Sequence, residues 1–208
     1  MAIISIFEIA DIIIMTLAVG FIFKDVFQKH HLEKFDKSYD PLDKYIETTD
    51  NKEAAVKRTK QFLQSSFFIA CLATAPAIIF HELAHKFTAL GFGIEATFHA
   101  AYFWLMIGVV LKLLNFGFIF FVPGYVSHFA ASSPLIDAAI AFAGPFLNLV
   151  LWIGAWLILK TTIVKGKLLV VLQYTKYINM FLFFFNMIPI GPFDGASVFR
   201  GLFAALLG

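Results

Sequence analysis

Residues 81–85 read His-Glu-Leu-Ala-His. On an α-helix, side chains four apart share a face, so His81 and His85 can present both imidazoles to one metal ion. Glu82 stands beside the first, where its carboxylate can take a proton from an attacking water. This set suits zinc-assisted hydrolysis, in which three protein ligands leave a fourth position open and the ion lowers the pKa of water towards about 7. A third ligand is then needed. Asp194, in Pro192-Phe193-Asp194-Gly195, is the leading candidate, because a carboxylate commonly joins two histidines. The same residue could instead N-cap a last helix that begins at Gly195 and Ala196, and residue chemistry alone weighs the two readings evenly. His99 and His128 are rival ligands, but neither sits in a comparable motif.

The element that positions the histidines is itself apolar. Of 208 residues 60% are apolar, 14% are charged and 27 are Phe, against ~45–50% and ~25% for the first two figures in a soluble domain. Lipid is therefore the main solvent. A carboxylate at the centre of a lipid-embedded helix costs roughly 2.5–3.5 kcal/mol on insertion scales. A bound cation offsets that cost, which favours a metal site over a polar cluster satisfied by neighbouring helices. The net charge of +2 is too small to suggest a nucleic-acid partner. Cys71, the only cysteine, excludes an internal disulfide.

Further elements follow from the apolar runs. Residues 2–23 are long enough to cross a bilayer and lack a basic leader or small-residue cleavage site, so they predict a retained transmembrane helix. Glu8 and Asp11 within it are expected to lie near the interface and beside a polar neighbour, respectively. Residues 24–60 mix lysines with nearly as many acids and predict an aqueous connector, with a helix over 51–64 that leads into the motif span. That second span covers 65–90, with Pro76 inside it and Gly91 and Gly93 at its end. Residues 134–159 and 168–190 predict two more crossings, separated by a turn carrying Lys160, Lys165 and Lys167. The apolar stretch 94–121 is ambiguous between one helix, strands and a re-entrant piece.

Three motifs taken together resemble the signatures of the site-2 proteases, which are intramembrane zinc metalloproteases. They are His81-Glu82-Leu83-Ala84-His85, Gly144-Pro145 with Asn148, and Asn186…Pro189…Phe193-Asp194-Gly195, in the family's order across residues 65–201. The resemblance implies one Zn2+ ion held by His81, His85 and Asp194, with Glu82 as general base. It implies that Asn186 holds substrate or supports the developing oxyanion, and that Gly144-Pro145 permits close packing beside the catalytic helix. Phe193 replaces the leucine usual before Asp-Gly. The segment after the catalytic helix is more hydrophobic than the family's β-rich membrane-edge segment.

Depth adds a constraint. Asp194 can meet the histidines only if the spans preceding each run the same way, so residues 94–121 must begin and end on one side of the membrane. A re-entrant or β-hairpin segment is predicted there. The lysine distribution would put the metal nearer the outside, whereas the resemblance puts it nearer the cytosol, so orientation stays open. The expectation is an all-α polytopic protein of the cell membrane with about five to six transmembrane helices and that re-entrant or hairpin segment. Residues 1–64 would form an N-terminal helix and polar loop, and 65–208 the intramembrane metalloprotease core. Its partners would be the lipid bilayer and a transmembrane protein substrate, cleaved within or near the membrane in regulated intramembrane proteolysis. The rival function is a non-proteolytic membrane metal-binding protein or metal carrier.

Overall fold

The long apolar runs become helices, because in hydrocarbon only a backbone that satisfies its own hydrogen bonds is stable. The computed structural model of the chain describes residues 3–36, 50–116, 122–129, 131 and 133–207. In chain order the elements are α1 (Ile6–Asp36), α2 (Asp50–Gly91), β1 (Ala96–Ala100), α3 (Tyr102–Leu113), β2 (Gly124–His128), α4 (Pro134–Thr161), α5 (Gly166–Asn186) and α6 (Asp194–Leu207). Among the described residues four helical stretches are long and apolar enough to span: Ile6–Val26, Ser66–Gly91, Pro134–Thr161 and Leu168–Asn186. At 12 and 14 residues, α3 and α6 reach only ~18–21 Å, short of the ~30 Å of hydrocarbon. Among the described residues there are therefore four candidate spans, against the five to six transmembrane helices expected.

The predicted helix over 51–64 is present and runs without a break into the motif span, Pro76 included. The boundary expected at residue 64 thus falls inside α2. The polar connector is shorter than the sequence suggested, since α1 continues to Asp36 and α2 begins at Asp50. What remains of it, residues 37–49, lies outside the described residues.

Three apolar clusters join these elements. Met15 and Val19 of α1 pack with Ile78 of α2, Phe98 of β1 and Leu105 of α3. Ile69, Ala70 and Ala73 of α2 meet Val170, Tyr174 and Ile178 of α5. Ala89 and Ala96 pack on Ile140 of α4. The small residues let helices approach closely, which is how helices associate where lipid removes any hydrophobic drive.

The described part of the ambiguous stretch, residues 94–116, resolves into strand and helix, and 117–121 lie outside the described residues. β1 pairs antiparallel with β2, Ala96 opposite His128 and Ala100 opposite Gly124, and α3 lies in the connection between them. The two outer ends of this unit therefore lie side by side. The other edge of β1 is covered by α1: Phe98 N–H donates to Glu8 Oε1 (2.8 Å) and Ala100 N–H to Asp11 Oδ2 (3.0 Å). Asp11 also accepts from the Tyr102 hydroxyl, so it has the polar neighbour expected of it. Glu8, expected near the interface, lies in the first turn of α1 and is buried there, paired with buried Lys86 of α2. Lys112, which splits the apolar stretch, pairs with Asp25 of α1.

Lys86 follows the second motif histidine directly, so the Glu8–Lys86 pair ties α1 and the strand pair to the helix that carries the motif. Breaking a buried ion pair by removing one partner typically costs ~3–5 kcal/mol, because the other charge stays behind. Glu8→Gln should lower the detergent unfolding midpoint markedly. The double variant Glu8→Gln/Lys86→Met should regain much of the loss. Equal stability of the Glu8 variant and the parent, in thermal denaturation, would show that the pair contributes nothing net.

Candidate metal centre

The motif spacing does locally what was expected: His81 and His85 sit one turn apart on α2 and turn their rings to the same side, with centroids 4.7 Å apart. Asp194 arrives from the other end of the chain. It is the first residue of α6, and its Oδ2 lies 3.0 Å from His81 Nε2 and 3.4 Å from His85 Nε2. Asp194 thus opens α6, but its carboxylate oxygen meets the histidines, as the ligand reading expects. Gly195 makes this possible. A Cβ there would lie 2.5 Å from the carbonyl carbon and oxygen of Met187, so only glycine lets α6 fold back against the end of α5.

The outer ring nitrogens decide which atoms face this cluster. His85 Nδ1 lies 2.7 Å from the Ile140 carbonyl, which can only accept, so Nδ1 carries the proton. His81 Nδ1 lies 2.5 Å from Asn148 Oδ1 on α4. Asn148 Nδ2 in turn donates to the Ala77 carbonyl (3.1 Å) and to Asn179 Oδ1 on α5 (2.8 Å). As neutral rings, the form that metal ligation requires, both then present Nε2 as a bare lone pair, the two 3.1 Å apart and facing Asp194 Oδ2.

Three electron-pair donors with no hydrogen between them repel unless a cation sits among them. His81, His85 and Asp194 can each offer one ligand atom, all within 4.8 Å of one another. Zinc with ligands at ~2.0–2.1 Å in a tetrahedron separates them by about 3.3–3.4 Å. The observed 3.0, 3.1 and 3.4 Å are close to that triangle, and the donor set of two imidazoles and a carboxylate is one zinc favours. Gly144 of α4 keeps the space open. A Cβ there would lie 2.7 Å from His81 Cε1 and Nε2 and closer still to His85 Nε2.

The cluster opens into a cavity of about 560 Å3 lined by Glu82, Asn186, β2 residues including Tyr125 and Val126, and Arg200 of α6. Glu82 and Asn186 are both half-buried. His128 also lines the cavity, but its Nδ1 bonds the Phe129 carbonyl, while His99 Nε2 bonds Ser127 Oγ within the strand pair. Neither rival histidine joins the cluster. Residue reading gave no role to Asn148 or Asn179. The signal was there, since an asparagine in an apolar span needs a partner, but which partner depends on how helices are registered.

The sequence profile described as Peptidase family M50 matches residues 158–208, which carry Asn186 and Asp194. A Methanocaldococcus jannaschii protein with the provisional name zinc metalloprotease MJ0611 is 38% identical over 136 residues, covering 64% of this chain and 70% of that protein. No solved structure matches the chain.

Proposed function

The chain belongs to peptidase family M50, the site-2 protease family, and we propose that it is a zinc metalloendopeptidase of the site-2 type that hydrolyses peptide bonds within or near transmembrane segments of its substrates. The observation that carries the reading is the meeting of His81, His85 and Asp194, at one wall of a cavity that Glu82 also lines. These three residues would hold the ion, which when bound supplies Lewis acidity to the carbonyl and to the attacking water. Glu82 takes the proton of that water and delivers it to the leaving amine. Asn186 offers its amide N–H groups to the oxygen that gains charge.

The strand pair supports the choice of a peptide substrate. Phe98 N–H points away from β2 and is bonded to Glu8, so its partner Val126 turns its own N–H and C=O outward too. Val126 lines the cavity. An unwound substrate segment can add to that edge of β2, its backbone bonds replacing those of its helix. In this reading residues 94–121 are re-entrant, the protein is multi-pass in the cell membrane, and residues 65–208 form the protease core. The substrate is a transmembrane protein, and regulated intramembrane proteolysis is the setting.

Removal of metal tests this directly. Protein reconstituted with a transmembrane substrate should lose cleavage on treatment with a zinc chelator and regain it with one equivalent of zinc. Cleavage indifferent to chelation would refute the reading. Zinc flux across proteoliposomes without cleavage would replace it with the carrier. A carrier needs further ligand clusters along a path, and among the described residues only His81, His85 and Asp194 form one.

A further inference from the structure

The hydrogen-bonded chain behind His81 continues across two helices, and its polarity is forced from the far end. Asn179 Nδ2 donates to the Thr175 carbonyl one turn back on α5 (2.8 Å). A carbonyl can only accept, so Asn179 must present its Oδ1 to Asn148. Asn148 must then answer with Nδ2, which the Ala77 carbonyl also requires. Only Oδ1 of Asn148 is left for His81, and His81 must meet it with a protonated Nδ1. Each link permits one orientation of the next, and the last turns Nε2 of His81 bare towards the cluster. Asn148 and Asn179 are 0% and 1% exposed, so no solvent competes for these bonds. α5 is otherwise the least buried of the four spanning helices, which makes an enclosed amide on it costly unless it is used.

We propose that Asn179 is a positioning residue of the metal centre, one helix beyond the contact shell, acting through Asn148 to fix the ring orientation and tautomer of His81. The inference rests on His81 being a metal ligand. Without the Asn179 acceptor, the Ala77 carbonyl alone still orients the Asn148 amide, so a flip that offers N–H to His81, puts the ring proton on Nε2 and blocks the ligand atom costs one hydrogen bond less. Loss of such outer support typically weakens metal affinity 10–100-fold.

Aspartate shares the shape of asparagine, whereas valine keeps only its branch point. At position 179 a buried, neutral aspartic acid can donate to the Thr175 carbonyl while still accepting from Asn148, and valine can do neither. Zinc affinity, from chelator competition on the full chain in detergent, should fall roughly 10-fold or more in Asn179→Val and stay near the parent in Asn179→Asp. The visible absorption of the cobalt-substituted protein should shift in the valine variant only. Asn148→Asp supplies a further check: it gives up the donor to Ala77 and Asn179, but either of its oxygens accepts from His81, so Asn179 no longer decides which atom the ring meets. Added to that background, Asn179→Val should cost less than about twofold. Parent-like zinc affinity with a superimposable cobalt spectrum in Asn179→Val would overturn the proposal, as would an undiminished loss in the Asn148→Asp background. If the valine variant does not fold, Asn179→Ala carries the same expectations. His81→Ala separates the two levels: zinc retained there removes His81 as a ligand, whereas zinc lost there but unaffected by position 179 removes only the relay.

Discussion

Glu82→Gln should abolish peptide cleavage while leaving one zinc ion bound per chain. Glutamine has the shape of glutamate and can still hydrogen-bond a water, but it cannot accept the water's proton. General acid–base groups contribute roughly 10²–10⁴-fold to a rate, and here one residue is asked both to take the proton and to deliver it. Glu82 is half-buried and lines the cavity beside His81, yet it is not among the three converging ligand residues. The metal should therefore not depend on it. Cleavage of a transmembrane substrate in proteoliposomes, run beside metal analysis of the same preparation, separates the two effects. Retained cleavage would remove Glu82 as the base. Lost zinc would show that its carboxylate helps hold the ion.

What the sequence made legible is local. The His81–His85 spacing needs only a helix to bring the rings together, and the apolar length of α2 ensures one. Asp194 is separated from His81 by 113 positions, so no periodicity links them, and only a motif recognised as a whole could point to it. Residues 94–121 resisted reading because β1 is only five residues long, and its alternation of Ala96, Phe98 and Ala100 with Thr97 and His99 is too short to decide against a helical turn. Its assignment depends on β2 and on the carboxylates of α1, both distant in sequence. The partners of Glu8 were hidden for the same reason. Its partners Lys86 and Phe98 N–H come from elements whose packing a single sequence does not encode visibly. The Asn148–Asn179 relay is the clearest case. Both residues are plainly polar in apolar spans, but that they meet each other, at one level with Ala77 and His81, is a matter of how three helices are registered.

Gly144→Ala should cost the protein its zinc without costing it α4. Alanine is a better helix former than glycine by ~1 kcal/mol, so the helix itself gains. The added methyl, however, would sit 2.7 Å from His81 Nε2 and against His85 Nε2, the two lone pairs that face the cluster. Neither ring can retreat easily, since His85 Nδ1 is held by the Ile140 carbonyl and His81 Nδ1 by Asn148. Metal content should fall from one ion per chain to near zero, and cleavage with it, while circular dichroism stays that of the parent. Gly154 on the same helix is the control: nothing lies within 4 Å of a Cβ there, so Gly154→Ala should keep zinc and activity and match or exceed the parent in stability. A Gly144→Ala protein with a full complement of zinc would mean that the ligand nitrogens do not face α4, and the relay through Asn148 would then have no ring to hold.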